Sequence, residues 1–396
     1  MLSSAREEMV TALPEKQLPR EPPVVLHTRV VTESGGGPDK TILNSPRYLT
    51  PDYRVLCAYM HPPNDPGFEQ LRRKAEAWKA PLLSIEDRGI LDMRVLWRHL
   101  QICRREKVAI WHAHDYKSNV LGLLLRPFWP MRLVTTVHGW VRFVPPKTTL
   151  YYAVDRRLLR YYERVICVSQ DLREYCLSLG VPPKRCLLIE NAIDAEFYAR
   201  KTSTAEAKMK LGFAPDQLLV GSVGRLSKEK GFDVLIRAVH RLRENGTQVN
   251  LLIAGDGDQR ERLQALVAEL GCQDHVRLLG YVADPRQCYE AMDVYALSSF
   301  TEGMANVLLE AMALETPIVA TRVAGVSTLL SHEESGLLID PGSVEQLSGA
   351  LAQLLLDPAM QMRFRRVARQ TVETRHSFRV RMQKVRAVYD ELLGLA

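Results

Sequence analysis

Two glutamates eight residues apart, Glu302 and Glu310, frame the stretch of this chain best suited to chemistry. Glu310 is the only polar residue between Asn306 and Glu315. Val307, Glu310, Ala311 and Leu314 fall on one stripe of a helix that is apolar nearly all round. Such a helix is buried, and an ionised carboxylate on it is costly unless something hydrogen-bonds it. Either protein donors or a bound ligand must therefore meet Glu310. Glu302 stands earlier, in a turn with Gly303 that follows the strand-like run Val294-Tyr295-Ala296-Leu297. A strand, a glycine-containing turn and the start of a buried helix direct backbone N–H groups and a positive dipole end at whatever fills the crevice.

Two cations have a related placement. Arg225 closes the run Leu218-Leu219-Val220-Gly221-Ser222-Val223-Gly224, and Lys230 follows at the start of a helix. Both can point into one crevice; as isolated residues they would equally be solvated surface charges. Three histidines stand at strand ends: His112 and His114 in Val108–His114, and His138 in Leu133–Gly139. A lone strand-end histidine is more often structural, and His138 has the stronger functional claim of the three. A metal reading of His112, His114 and Asp115 lacks a further ligand cluster, so no metal is expected. After the first strand, Ser34-Gly35-Gly36-Gly37 lets backbone approach a ligand closely. Its spacing is neither GxGxxG nor a P-loop, since Asp39 stands where the latter needs glycine before Lys40-Thr41.

The rest of the chain must position these groups. At 396 residues it is long enough for two domains with full cores. Residues 1–23 are polar, charged and proline-bearing, and read as a flexible tail without the apolar core of a secretion signal. No apolar run approaches the ~20 residues of a membrane span. Seven scattered cysteines without CxxC pairs point to a reducing, cytosolic setting. Positive charge is concentrated in residues 101–164, where 12 basic residues face 4 acidic ones, which suits an anionic partner. No recognition module supports nucleic acid. The helix expected over Thr149–Glu163 interleaves Arg156, Arg157, Arg160 and Arg164 with tyrosines and leucines. It could lie on an anionic membrane or pack on its own domain with a basic solvent face.

Short apolar runs alternate with helical patterns along the chain. The first series runs from Val24–Val31 through Arg54–Met60, Pro81–Ile85, Val108–His114, Leu133–Gly139 and Val165–Ser169. A second begins at Leu218 and continues through Val249–Ala254, Val276–Leu279, Val294–Leu297, Pro317–Thr321 and Leu337–Ile339. This rhythm predicts an α/β chain with parallel sheets and helices on both faces. Ligands in such sheets sit beyond the carboxyl ends of the strands, so Gly35–Gly37, His114 and His138 share one rim. Two Rossmann-like domains with a cleft between them are expected. Their bounds are an acceptor domain over residues 24–194, a donor domain over 195–376 with Ala195–Asp216 as the link, and a C-terminal helix over 377–396 that crosses back to the first domain.

With these residues in view, the chain resembles the family-4 retaining glycosyltransferases of the GT-B fold. The resemblance rests on Gly224-Arg225-Leu226 with Lys230-Gly231, on Ala254-Gly255-Asp256-Gly257, and on Glu302-Gly303 with Asn306-Val307 and Glu310. It implies transfer of a sugar from a nucleoside-diphosphate sugar to a glycan or lipid-linked acceptor, in cell-surface polysaccharide or glycolipid synthesis. It implies that Arg225 and Lys230 clamp the diphosphate, that Glu310 holds the ribose and that Glu302 contacts the transferred sugar. His138 stands beside donor sugar and acceptor. Gly36, Gly37, Gly224, Gly303, Met304, Ala305, Asn306 and Val307 line the donor, and no metal or other cofactor is expected. The implied setting is cytoplasmic, at the inner face of the plasma membrane, with peripheral membrane contact. A nucleotide-sugar 2-epimerase and a non-catalytic nucleotide-sugar-binding homologue are the alternatives.

Overall fold

The computed structural model describes residues 21–31, 37–89, 92–140, 146–302 and 305–395. Gly35, Gly36, Gly303 and Met304 lie outside the described residues, as do residues 1–20 of the tail expected over 1–23. The first sheet contains β1 (Val24–Val30), β2 (Arg54–His61), β3 (Leu82–Glu86), β4 (Val108–Ala113), β5 (Arg132–Val137), β6 (Arg164–Cys167) and β7 (Cys186–Leu188). The second contains β8 (Leu218–Val223), β9 (Val249–Ala254), β10 (Val276–Gly280), β11 (Val294–Leu297), β12 (Ile318–Thr321) and β13 (Leu337–Ile339). Every adjacent pair is parallel. The strand orders are β3-β2-β1-β4-β5-β6-β7 and β10-β9-β8-β11-β12-β13, the doubly wound pattern twice over. Order reverses between β1 and β4 and between β8 and β11, and there the connections diverge to opposite faces and open a crevice. The chain is thus two Rossmann-like α/β units.

Each sheet is covered on both faces, which is why its strands read as unbroken apolar runs rather than alternating ones. In the first unit, helices Met93–Glu106 and Tyr116–Leu125 cover one face through a core around Trp111, Leu133 and Tyr162. Helix Gly37–Leu49 covers the other through Ile42 and Leu43. The final helix, Phe378–Leu393, buries Phe378, Met382, Val385, Val388 and Tyr389 in that same layer. Each such side chain contributes roughly 1.5–3 kcal/mol. Tyr53 donates to Asp390 at 2.6 Å and ties the helix to the first unit. The chain passes between the units twice, and the two passages pair: Ile193 N–H donates to the His376 carbonyl at 2.9 Å and Phe378 N–H to the Ile193 carbonyl at 2.9 Å. Buried Arg381 donates to the carbonyls of Ile189 and Glu190 beside them, with burial lowering its pKa to about 10.

The segment expected as a plain link, Ala195–Asp216, holds helix Thr204–Lys210. Its capping box is Ser203 with Glu206, a local signal that was legible. Helix Tyr116–Leu125 has no counterpart in the sequence reading. Val120-Leu121-Gly122-Leu123-Leu124-Leu125 is apolar on every side and shows no helical period. Gly122 interrupts it for a steric reason: a Cβ there would lie 2.6 Å from Trp111 Nε1 and 2.8 Å from the Tyr162 hydroxyl.

Candidate functional site

The rim of the second sheet is stitched together by close backbone approaches. The loop after β8 runs against the loop after β9: Gly224 N–H donates to the Ala254 carbonyl at 3.0 Å, and Leu226 N–H to the Asp256 carbonyl at 2.9 Å. Gly255, at φ +150°, lies so near Gly224 that a Cβ would come within 1.8 Å of its carbonyl oxygen. Gly231, at φ +61°, opens helix Phe232–Glu244 and presses the Lys228–Lys230 turn against the end of β11. A Cβ on Gly231 would meet the Ser298 carbonyl oxygen at 2.3 Å. Ser298 Oγ also donates to the Lys230 carbonyl at 2.9 Å, and Phe300 N–H to the Glu229 carbonyl at 2.8 Å.

That approach brings Lys230 onto Glu302. Lys230 Nζ lies 2.6 Å from Glu302 Oε1, which also accepts from Ser299 Oγ at 2.6 Å. The Glu302 side chain is 8% exposed and that of Lys230 20%, so the pair is shielded from water at the β8/β11 switch point. A shielded pair is worth keeping whole, because removing one member strands the other's charge. Arg225 is placed differently from the expectation. Its side chain is 73% exposed and pairs with Glu229 at 3.0 Å, one helical turn on, rather than converging with Lys230 on Glu302. It begins the same rim loop but stands at the water-facing end.

Glu310 is buried on helix Asn306–Ala313, and three protein groups meet it, of which the Tyr289 hydroxyl also reaches the Val307 carbonyl at 3.1 Å. Lys40 Nζ reaches Oε1 at 2.9 Å, the Tyr198 hydroxyl donates to Oε1 at 3.2 Å, and the Tyr289 hydroxyl stands 3.1 Å from Oε2. Burial disfavours the Lys40 charge, but the Glu310 carboxylate and Tyr198 outweigh it and hold the ammonium well above its ordinary pKa. Burial, and then Glu310, push the Tyr198 phenol up to about 12. Lys40 belongs to the first unit and Glu310 to the second, so this ion pair spans the cleft. One turn earlier the two helix starts meet: a Cβ on Gly37 would lie 3.0 Å from Asn306 Nδ2. A cavity of about 670 Å³ opens beside this meeting point, lined by Lys40, Asn44 and Arg47 on one side and Asn306, Leu309 and Glu310 on the other. It runs down helix Gly37–Leu49 and is not lined by Lys230 or Glu302.

His138 is not the lone strand-end histidine that its sequence context suggests. His114 Nδ1 lies 3.1 Å from His138 Nε2, and His27 Nδ1 lies 2.8 Å from His114 Nε2. His112 stacks on both His27 and His114, at ring-centroid distances of 4.7 and 4.5 Å. Its own nitrogens go to the Tyr389 hydroxyl at 2.5 Å and to Thr136 Oγ1 at 2.8 Å. Nitrogens of His27, His112 and His114 come within 4.8 Å of one another, and each of them already has a hydrogen-bond partner in another ring, Ser45, Thr136 or Tyr389. Asp115 is no ligand either. Its carboxylate accepts from the N–H groups of Val30 at 2.6 Å, Lys117 at 3.0 Å and Ser118 at 2.9 Å. Sequence reasoning missed His27, though a titratable residue inside the apolar run Val24-Val25-Leu26-His27 was a signal. Lys40, Tyr198 and Tyr289 carried no local signal at all.

The buried histidines, those of the cluster and His99 beside Trp111, make stability depend on pH. Burial lowers His27 to about 3 and His99 to about 4, and drives His112, His114 and His138 well below their ordinary value. The folded protein keeps these rings neutral while the unfolded chain takes up protons below pH ~6.5. The stabilisation is therefore full above that pH and is lost as pH falls towards 3, by about 1.4 kcal/mol per pH unit for each proton bound only by the unfolded chain. Urea midpoints at pH 7.5 and pH 5 check this. The midpoint is expected to drop at pH 5, and an unchanged midpoint would refute the account.

Comparison with known proteins agrees with this architecture. Residues 35–197 match the family model Glycosyltransferase Family 4, and residues 203–371 match Glycosyl transferases group 1. The lipopolysaccharide core biosynthesis glycosyltransferase LpsE of Rhizobium meliloti is 33% identical over 212 residues, which is 54% of this chain and 59% of that protein. The D-inositol 3-phosphate glycosyltransferase of Corynebacterium glutamicum is 29% identical over 290 residues, 67% of this chain and 68% of that protein. The chain thus aligns with about six tenths to two thirds of these relatives' length. Anabaena HepE, solved in complex with UDP, superposes with a TM-score of 0.78 at 19% identity, covering 93% of this chain and 100% of that one, a likeness of fold. Two family models matched in succession along the two α/β units, with relatives and folds of one kind, establish that the chain belongs to the family-4 glycosyltransferases of the GT-B fold.

Proposed function

We propose that this protein transfers a sugar from a nucleoside-diphosphate sugar to a hydroxyl of a glycan or lipid-linked acceptor, with retention at the anomeric carbon. The observation that carries the reading is the shielded Lys230–Glu302 pair at the β8/β11 switch point, with Gly37 and Asn306 meeting across the cleft. As the bond from anomeric carbon to phosphate oxygen breaks, the diphosphate gains negative charge. Lys230, Arg225 and the first-turn N–H groups of helix Asn306–Ala313 stabilise that charge more in the transition state than in the ground state. The acceptor oxygen bonds to the anomeric carbon from the same face, and its proton passes to the departing phosphate. Glu302 orients the sugar hydroxyls beside Lys230. Two Glu310 oxygens offer about four lone-pair sites; Lys40 and Tyr198 take two, and Tyr289 shares its single hydrogen between Glu310 and the Val307 carbonyl, which leaves room for a ribose hydroxyl. His138 faces the sugar. Gly37, Gly224, Ala305, Asn306 and Val307 supply backbone around the donor, and the positive charge already present makes a divalent ion unnecessary.

Relatives named for lipopolysaccharide core synthesis and inositol 3-phosphate glycosylation, and a fold neighbour solved with UDP, support a role in cell-surface glycan or glycolipid synthesis. Thermal shift against UDP, GDP, ADP and their sugars tests donor binding, with one nucleotide series expected to raise the melting temperature. Anomeric NMR of the product then tests retention. No stabilisation by any nucleotide refutes the donor site, an inverted linkage refutes retention, and free epimerised donor without acceptor replaces the reading with the epimerase.

One surface favours membrane contact and enlarges the expectation drawn from the arginine-rich helix. That helix, Pro146–Leu158, turns part of its charge inward: Arg156 lies over Trp140 and Tyr175, and Tyr151 stacks on Tyr116. Its outward face shows Leu150, Val154 and Arg157. Helices Met93–Glu106 and Tyr116–Leu125 and the turn after the latter add exposed Met93, Trp97, Leu124 and Phe128 on the same face of the sheet, with Arg98 exposed and Arg105 and Arg126 paired with Glu106 and Glu163. No helix of the described residues is long and apolar enough to cross a membrane. The first unit therefore docks by an apolar and cationic face on anionic lipid. Flotation with acidic vesicles at low salt is expected to carry the protein upward, and Trp97→Glu with Phe128→Glu to abolish it. No association of the wild-type protein rules the docking out.

A further inference from the structure

The buried end of the histidine cluster sets the direction of every hydrogen bond in it. Helix Gly37–Leu49 contains Pro46. Proline has no N–H, so the Ile42 carbonyl lacks the donor that residue 46 would give it in a regular helix. Ser45 supplies one instead: its Oγ donates to the Ile42 carbonyl at 2.7 Å, with the Cys57 thiol a second, weaker donor at 3.5 Å. A hydroxyl carries one hydrogen. Ser45 has spent its hydrogen on Ile42, so it meets His27 Nε2, 3.3 Å away, only as an acceptor.

From there the directions follow one by one. His27 donates from Nε2, and a neutral imidazole has a single N–H, so its Nδ1 accepts. His114 therefore donates from Nε2 across the 2.8 Å contact, and its Nδ1 accepts. His138 in turn donates from Nε2 across the 3.1 Å contact. Its Nδ1 is left as a lone pair, and among the described residues no partner takes it. Ser45, His27 and His114 are all buried, while His138 is half-buried at the end of β5. Burial keeps all three rings neutral, with Arg29 and Arg381 further opposing a proton on His138.

We infer that Ser45, His27 and His114 are positioning residues that lock His138 into the Nε2–H tautomer, which leaves its Nδ1 as a hydrogen-bond acceptor for a hydroxyl group. This rests on the glycosyl-transfer reading only in identifying that hydroxyl as one of the sugar or of the acceptor. A His138 of the opposite tautomer would present an N–H and compete for the hydroxyl's oxygen. The lock thus selects a ligand that donates.

The test is the nitrogen spectrum of the full-length protein labelled with 15N-histidine at pH 7.5, with signals assigned from single His→Asn variants. His27, His114 and His138 are each expected to show a protonated Nε2 and an unprotonated Nδ1, with no substrate present. A His138 protonated on Nδ1, averaged between tautomers or carrying both protons overturns the proposal. Ser45→Ala removes the anchor and is expected to shift the His138 signals towards the tautomer average. Ser45→Thr restores the hydroxyl and the original spectrum. In transfer assays Ser45→Ala is expected to lower kcat/KM about tenfold, the effect of one misdirected hydrogen bond. A His138 spectrum unmoved in folded Ser45→Ala also overturns the proposal. If Ser45→Ala does not fold, the wild-type and Ser45→Thr spectra decide. The spectrum needs no turnover, so a chain that shows the lock but transfers no sugar refutes the reaction and leaves the lock standing.

Discussion

Replacing Lys230 by alanine lowers the transfer rate by about two to three orders of magnitude, with the protein still folded. Of the two cations on this rim loop, Lys230 rather than Arg225 is the one held by the scaffold. Gly231 forces its backbone against Ser298, and Glu302 and Ser299 fix its neighbourhood at 2.6 Å contacts. A charge that needs no reorganisation when the leaving group departs lowers the barrier most, which is why Lys230→Ala is expected to exceed Arg225→Ala. Arg225 must leave its pair with Glu229 and is open to water, where a surface pair is worth at most about 1 kcal/mol. Glu302→Gln keeps the shape and the Ser299 contact but loses the charge that holds Lys230, so its rate is expected to fall with that of Lys230→Ala. Because the two groups act as a unit, the double variant should be little worse than either single one. Turnover at saturating donor measures all four proteins, and a near wild-type rate for Lys230→Ala removes the assignment.

Gly255→Ala destabilises the second unit by at least about 3 kcal/mol, the largest loss expected from adding one methyl group anywhere on the rim. Two separate causes combine. A backbone φ of +150° is one that residues with a Cβ rarely adopt, and the new Cβ would lie 1.8 Å from the Gly224 carbonyl oxygen. Neither atom can yield without breaking the contact that carries Gly224 N–H to Ala254 and Gly255 N–H to Gly280. The loop holding Arg225 would move with it, so donor affinity falls together with stability. Gly349→Ala is the control. It sits in helix Val344–Leu356 with nothing within 4 Å of an added Cβ, and alanine there should stabilise by roughly 0.5–1 kcal/mol. Denaturant midpoints of the two variants against the parent check both signs, and equal effects would refute the steric account.

Much of this molecule was legible in its sequence, and the reason is locality. Buried parallel strands are short apolar runs between turn residues, so β9, β11 and β13 fall on the residues expected and the other expected strands within a residue or two, while the three-residue β7 was not among them. Helix Phe378–Leu393 likewise begins after its cap Ser377 and ends before Gly394. Glu310 in an apolar helix and Lys230 beside a glycine are anomalies that a local window registers. Helix Tyr116–Leu125 was not legible because it has no polar face, nor was Arg286–Ala291, whose six residues are too few to show a period.

What the tertiary structure alone decided is how distant groups meet. Lys40 lies 270 residues from Glu310, and His27 lies 87 from His114; no period or spacing encodes such pairs. They exist because two switch points, one in each sheet, bring strand ends and helix starts from opposite halves to one cleft. The sequence by itself determined two parallel α/β units and a pair of glutamates that require partners. The packing decided who those partners are: a lysine of the other half for Glu310, a glycine-positioned lysine for Glu302 and a proline-anchored row of imidazoles for His138. Local chemistry is written residue by residue, whereas a hydrogen bond has a direction only once both of its ends are in place.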